Sequence, residues 1–396
     1  MVQATRGLAD ALHVQLRQRL DMGLFVVVAI LIGAGLVMVA SSSIGVAEKN
    51  YGDPFHFVMR QASYVGIGIF VAYLFYEIPL RLWETAGMLL LALAVLLLVL
   101  VLVPGVGHKV NGATRWISLP MFRFQASEGV KVLVVLYMAG YITRHGEALQ
   151  NTAAGFLKPV GVVAVLFVLL LAEPDFGAAV VIFLVVMGML FMAGVRLNQF
   201  ALLLVVGAVG LSGLAMMSPY RMKRLTSFLD PWNDPYDTGY QLTQSLIAIG
   251  SGSWSGVGLG SSVQKLFYLP EAHNDFMFAI LAEELGLIGV LTIMGLFVYA
   301  VWRAFAIGAT AERSGHVYGA YVAFGIGLWI GIQAFVNIGV NMGVLPTKGL
   351  TLPFMSSGGT SIIVMCIAVG LLLRVHREIH DLEIATLRVR SGRRKS

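Results

Sequence analysis

Charge is scarce in this sequence: Asp, Glu, Lys and Arg make up 12% of its 396 residues, about half the share found in a soluble domain. With 58% of residues hydrophobic and a mean hydropathy of +0.83, too little polar surface remains to cover a water-soluble body. Period-2 alternation is missing too: stretches such as GLFVVVAILIGAGLVMVA are apolar without a break, which excludes a transmembrane barrel and leaves helices. The single cysteine, Cys366, lies within the last apolar run, so an intramolecular disulfide and a cysteine-based metal site are excluded. The first twenty residues are too long and polar for a signal peptide's charged region, and no small-residue cleavage site precedes the second apolar run. The first run is therefore expected to remain as a helix, with its prefix along the membrane surface.

What is there is a series of runs long enough to span hydrocarbon, which takes about 20 apolar residues each. They lie near 22–42, 55–76, 85–103, 126–142, 158–173, 176–194, 198–217, 274–304, 316–338 and 354–375. The expected fold is all-α, a polytopic integral membrane protein of about ten transmembrane helices. A cytoplasmic segment 1–21 precedes the membrane domain 22–375, and a basic cytoplasmic tail 376–396 follows it. With both termini inside, about 16 Lys and Arg fall on the cytoplasmic side and about nine outside, as the positive-inside rule requires. Two external loops are long, 104–125 and 218–273, and loops of that length are usually functional. Pro231, Trp232, Pro235 and Tyr236 argue for an ordered element hugging the interface. The GVGLG piece at 256–260 follows no strand, so it reads as close packing or flexibility rather than a phosphate loop.

Charges at membrane depth face a cavity or a partner and are functional candidates by default. Glu128 and Lys131, three apart, share a helix face, and read equally as a structural pair or a ligand site. Glu173 and Asp175 in EPDFG flank a tight outer turn, as a cation-tuning cluster or as partners for Arg115. In LPEAHNDFMFAILAEELG, Pro270 and Asn274 are helix-start residues that put Asp275 in the first turn. Glu283 then lies about 12 Å deeper and Glu284 points to the opposite side. Asp275 reads as the accessible carboxylate, and Glu283 or Glu284 as a buried partner of Lys131 or Arg60. Lys109, Arg115, Arg123, Arg221, Lys223, Arg224 and Lys265 all fall in external loops, which points either to headgroup contact or to an anionic ligand on the outer face.

At this point the chain resembles the SEDS family, the shape, elongation, division and sporulation proteins. The resemblance runs from GATRWI (112–117) through QASEGVKV, EPDFG, RLTSFLDPWNDPYDTGYQLTQSLIAIGSG and LFYLPEAHNDF to NMGVLPTKGLTLPFMSSGGTS (341–361). The last stretch carries the family signature at Pro346, Gly349, Pro353, Gly358 and Gly359, and its PTKGL wording is nearer the division branch than the elongation branch. Ser357 stands where the family commonly has Tyr, and Asn274 where it has Thr.

The resemblance implies a peptidoglycan glycosyltransferase that polymerises lipid II at the outer face of the cytoplasmic membrane, at the division septum. The family's catalytic Asp falls on Asp275. Glycosyl transfer needs a base at the acceptor hydroxyl and cations at the departing diphosphate; Lys109, Arg115, Arg221, Lys223 and Arg224 are the pool for the second role. His273, Lys348, Ser356 and Ser357 complete the substrate-binding residues, with Glu128, Lys131, Glu173, Asp175, Glu283 and Glu284 as electrostatic support. A divalent cation, magnesium or manganese, is compatible with diphosphate and one or two carboxylates, but no spacing defines a metal site. The partners implied are a class B penicillin-binding transpeptidase of the FtsI type, divisome membrane proteins of the FtsQ, FtsL, FtsB and FtsN types, and membrane lipid; nucleic acid is not among them. Composition alone favours a rival, a lipid II flippase without chemistry, and a third reading is a scaffold for the transpeptidase.

Overall fold

In hydrocarbon each backbone N–H and C=O must find its partner within the protein, and the apolar runs answer by forming helices. The computed structural model describes residues 20–110, 113–118, 123–216, 222, 227–237, 239–346 and 349–393. The elements run α1 (Met22–Tyr51), α2 (His56–Glu77), α3 (Leu80–Thr85), α4 (Gly87–Leu102), β1 (Gly107–Val110), β2 (Ala113–Ser118), β3 (Arg123–Gln125), α5 (Ala126–Asn151), α6 (Ala153–Ala172), α7 (Phe176–Met192), α8 (Leu197–Met216), α9 (Tyr240–Ser251), α10 (Met277–Arg313), α11 (Val317–Asn341) and α12 (Gly359–Arg393). Among the described residues seven helices are long and apolar enough to cross a membrane: α1, α2, α5, α6, α10, α11 and the first 24 residues of α12. Three further expected spans correspond to the shorter apolar helices α4, α7 and the 197–210 part of α8. The chain is an all-α membrane protein, and length alone accounts for seven of the ten expected crossings.

The bundle is layered by exposure. Helices α5, α11 and α12 bury most of their length, whereas α1, α2, α6 and α10 turn most of theirs outward. Ile288, Leu291 and Val298 of α10 are exposed apolar residues of the kind a lipid-facing surface carries. Packing among the buried helices relies on small residues that let backbones approach.

Three features add to the sequence reading. The first external loop is not irregular: β1, β2 and β3 form an antiparallel sheet, with Trp116 opposite His108 on one side and Gln125 on the other. The second contains α9, which packs against α10 and α11. Helix α12 continues past residue 375 without interruption to Arg393, through most of the basic tail segment.

Helix α10 is broken at Gly286, whose φ of 65° and ψ of −165° only glycine adopts without strain. The break frees backbone groups, and the 253–258 segment takes them up. Val257 and Gly258 donate to the carbonyls of Glu283 and Glu284 at 2.9 and 3.1 Å, while Leu287 and Ile288 donate to those of Ser253 and Trp254 at 2.9 and 3.2 Å. Gly256 sits so close to the backbone of Glu284 that a Cβ there would overlap its carbonyl. GVGLG thus serves close packing, one of its two expected roles.

Candidate functional site

Asp275 stands ahead of α10 rather than in its first turn. The helix begins at Met277 after the cap residue Phe276, which supplies no side-chain cap. Asn274, expected to start the helix, points its amide at Glu271 Oε2 instead, 3.4 Å away. A side-chain acceptor comes from α11: Asn341 Oδ1 accepts from the backbone N–H of Ala279 at 3.2 Å, a donor shared with the carbonyl of Phe276 at 3.1 Å. The start of α10 is therefore set by a tertiary contact, which local sequence does not encode.

The backbone of Asp275 is held from the same helix. Its carbonyl accepts from Asn337 Nδ2 at 3.0 Å and from Asn341 Nδ2 at 3.1 Å. Asn337 Nδ2 also donates to the carbonyl of Leu350, and Gln333 Nε2 donates to that of Thr351 at 3.0 Å. Gln333, Asn337 and Asn341 are four residues apart, so they share one face of α11, and all three side chains are buried. The sequence reading missed them because it searched for charges; the available signal was three amides at four-residue spacing in an apolar helix. The Asp275 side chain is half-buried and lies against Gly349, where an added Cβ would come within 2.8 Å of Oδ2.

Two more loops meet this point. Ser357 donates its N–H to the carbonyl of His273 at 3.0 Å. Gln61 of α2 holds the adjoining turn from the other side, donating to the carbonyl of Ser356 at 3.2 Å and accepting from Gly358 N–H at 3.3 Å. Ser356 itself is buried, and its hydroxyl accepts from Leu352 N–H at 2.8 Å, so it supports the loop rather than presenting a group to a ligand. The His273 ring packs on Phe57 with centroids 4.8 Å apart. Burial is the main influence on this imidazole and lowers its pKa; Glu271 opposes the shift and Arg60 adds to it. Arg60, expected as a partner for the buried glutamates, instead lies exposed over the Phe57 ring.

The EPDFG turn reaches the same neighbourhood through Gly177, which packs on Leu350. Asp175 caps α7 by accepting from Ala178 N–H at 3.3 Å and takes the Ser127 hydroxyl at 2.8 Å. Arg115 on β2 donates to the carbonyl of Pro174 and approaches Asp175 at 4.0 Å, so of the two carboxylates Asp175 is the one that meets Arg115. Glu173 is fully buried and both its carboxyl oxygens lack a hydrogen bond among the described residues. Burial, followed by the charge of Asp175, pushes its pKa up to about 8 against the pull of Arg115. Lys109 is exposed on the neighbouring strand. Arg221, Lys223, Arg224 and Lys348 lie outside the described residues.

The remaining charges are occupied elsewhere. Lys131 Nζ meets Glu128 Oε1 at 2.6 Å and Gln333 Oε1 at 2.7 Å, so this pair braces the bundle interior. Glu284 pairs with Lys265 at 2.7 Å and also accepts from Ser41. Glu283 accepts from the Ser262 hydroxyl and from Val263 N–H at 3.0 Å. Neither glutamate meets Lys131 or Arg60 as the sequence suggested. The loop cation Lys265 descends to Glu284 because the 253–258 segment, seated in the break of α10, carries the following residues down with it.

A half-buried carboxylate, a guanidinium and a nearby basic strand at one end of a helical bundle define a membrane protein with a polar site at that end. The family model for cell cycle proteins of the FtsW, RodA and SpoVE kind matches residues 22–381, and the chain belongs to that family. A probable peptidoglycan glycosyltransferase FtsW of Thioalkalivibrio sulfidiphilus is 59% identical over 98% of this chain and 96% of its own. The corresponding protein of Coxiella burnetii is 52% identical over 89% of this chain and 94% of its own. Among solved structures, a peptidoglycan synthase complex described for its coordination of polymerization and crosslinking superposes with a TM-score of 0.73 and 30% identity, covering 91% of this chain and 98% of that one. The Thermus thermophilus rod shape determining protein RodA gives a TM-score of 0.67 at 28% identity, covering 91% and 97%.

Proposed function

We propose that this chain is a peptidoglycan glycosyltransferase that polymerises lipid II at the outer face of the cytoplasmic membrane, with Asp275 as general base. The observation that carries the reading is the setting of Asp275. It is half-buried at the N-terminal end of α10, its backbone is fixed by two amides, and its carboxylate lies beside the loop that bears the family signature. In the reaction an acceptor sugar hydroxyl attacks the anomeric carbon of the donor. Its proton passes to the Asp275 carboxylate, the new C–O bond forms, and the bond to diphosphate breaks with its electron pair leaving on undecaprenyl diphosphate. Positioned bases of this kind contribute about 10²–10⁴-fold. Arg115 and Lys109 are the described cations on the outer sheet that suit the diphosphate, with Arg221, Lys223 and Arg224 as further members of the pool, and His273, Ser357 and Lys348 on the acceptor side.

Magnesium or manganese finds no group of three ligating side chains among the described residues. Asp175 is engaged with Ser127 and the α7 N-terminus, and Glu173 is sealed from solvent. Among the described residues these two carboxylates are not placed to hold a cation together, and no step is routed through one. Assembly with a class B penicillin-binding transpeptidase and other divisome proteins, residence at the septum and cytoplasmic termini belong to the same proposal.

One observation favours a second reading. A helix broken at membrane depth with a loop docked into the gap is a feature of transporters, so a flippase is the rival. Purified protein given lipid II and its transpeptidase partner in detergent separates the two, because no sidedness remains to be crossed. Glycan strands from wild type and none from Asp275→Asn support the enzyme; absence of strands from both overturns it.

A further inference from the structure

We propose that Asn337 and Asn341 are positioning residues for the Asp275 carboxylate, with Asn337 setting its place relative to the 349–351 strand and Asn341 fixing the point where α10 begins. The inference rests on the reading of Asp275 as the base.

The geometry carries it. The two donors of Asn337 Nδ2 go to different segments: one to the carbonyl of Asp275, the other to the carbonyl of Leu350. Gly349, the neighbour of Leu350, lies beside the Asp275 carboxylate, so that a Cβ there would come within 2.8 Å of Oδ2. A single buried amide thus spans the contact from behind, holding both walls at fixed separation. Asn341 adds a second donor to the Asp275 carbonyl and accepts from Ala279 N–H, while its own backbone carbonyl accepts from Ser245 of α9 at 2.8 Å. Gln333, one turn further, fixes Thr351 and is braced by Lys131 and Trp329. One face of α11 therefore sets the height of Asp275, the start of α10 and the path of the signature loop together.

Chemistry explains why amides suit the task. An amide nitrogen offers two donors at a fixed angle, which a hydroxyl cannot do, and it carries no charge that would bias the protonation of a carboxylate nearby. Misplacing a reacting group by about 1 Å can cost on the order of 10²-fold in rate. A residue that acts only by placement lowers turnover and leaves substrate affinity alone.

The test is steady-state lipid II polymerisation by the full chain with its transpeptidase partner, for wild type, Asn337→Ala, Asn337→Ser, Asn341→Ala and Asp275→Asn. Monodispersity and thermal midpoint are checked for each. We expect Asn337→Ala to lower kcat by at least tenfold with KM for lipid II within twofold, and Asn337→Ser, which keeps one donor, to recover part of the loss. Asn341→Ala falls between wild type and Asn337→Ala. If Asn337→Ala misfolds, Asn337→Ser alone decides: a folded variant with wild-type kcat overturns the proposal. Wild-type kcat in folded Asn337→Ala also overturns it, even where Asp275→Asn is inactive and the base stands. An active Asp275→Asn would instead remove the base on which the proposal rests.

Discussion

Asp275 and the glutamate pair at 283–284 stand on one stretch of chain, yet their surroundings are opposite. Glu284 meets a lysine and a serine, and Glu283 a serine and a backbone N–H, and both glutamates are buried. Both hold the second external loop down on the broken helix. Around Asp275 the structure also holds the backbone: two amides take its carbonyl, and the half-buried carboxylate lies beside Gly349. The difference teaches that carboxylates in one membrane segment divide by what their neighbours bind. Glu283 and Glu284 are enclosed and act as fasteners; Asp275 is partly exposed on a fixed backbone and suited to act.

Substitution sharpens the contrast most at Asp275. Asp275→Asn should lower lipid II polymerisation by about 10²–10⁴-fold, the usual contribution of a positioned base, with the thermal midpoint unchanged. Lys265→Met should do the reverse. Leaving Glu284 buried without its cation costs about 3–5 kcal/mol of stability, read as a lower unfolding midpoint in detergent, while the fraction still folded turns over normally. An Asp275→Asn protein that melts early, or a Lys265→Met protein that stays stable and loses activity, would break the division.

Gly349→Ala probes the contact between the two walls of the site. The added methyl would lie 2.8 Å from Asp275 Oδ2, closer than packed atoms tolerate, so one side must move. Overpacking of this kind costs about 1–3 kcal/mol, and displacement of the carboxylate lowers kcat by up to about 10²-fold. A variant with wild-type kcat would mean that the carboxylate acts from another position.

Much of this was legible in the sequence, for reasons that differ by element. Uninterrupted apolar runs announced the helices because lipid permits little else. Asp275 and the EPDFG turn stood out as charges at the rim, and the Glu128–Lys131 pair followed from three-residue spacing. What escaped depends on distant residues. The start of α10 is set by Asn341, sixty-odd positions away in the chain. The partner of Glu284 is a loop lysine carried inward by a segment docked at Gly286, and no local rule joins Lys265 to that depth. The three-stranded sheet was hidden because its strands are short, with β1 only four residues and β3 three. Gln333, Asn337 and Asn341 were missed because neutral amides in a helix raise no alarm, although their spacing was visible.

Glu173 supplies the smallest effect and a third kind of carboxylate, one whose oxygens accept no hydrogen bond among the described residues. Its pKa is raised from an ordinary 4.5 to about 8 by burial and by Asp175. Between those values the folded protein keeps a proton that the unfolded chain releases, so the native state binds more protons and stability falls as pH rises. The loss begins near pH 4.5 and is complete a little above 8. Glu173→Gln has no proton to lose and should show no such slope. The two proteins should unfold together at pH 5, and at pH 8 the variant should be the more stable by about 1–3 kcal/mol, the cost of an unsatisfied buried polar group. Thermal unfolding in detergent at both pH values is the measurement. Equal slopes would mean that Glu173 finds a partner when ionised, and would move it from the third kind of carboxylate into the class of Glu283 and Glu284.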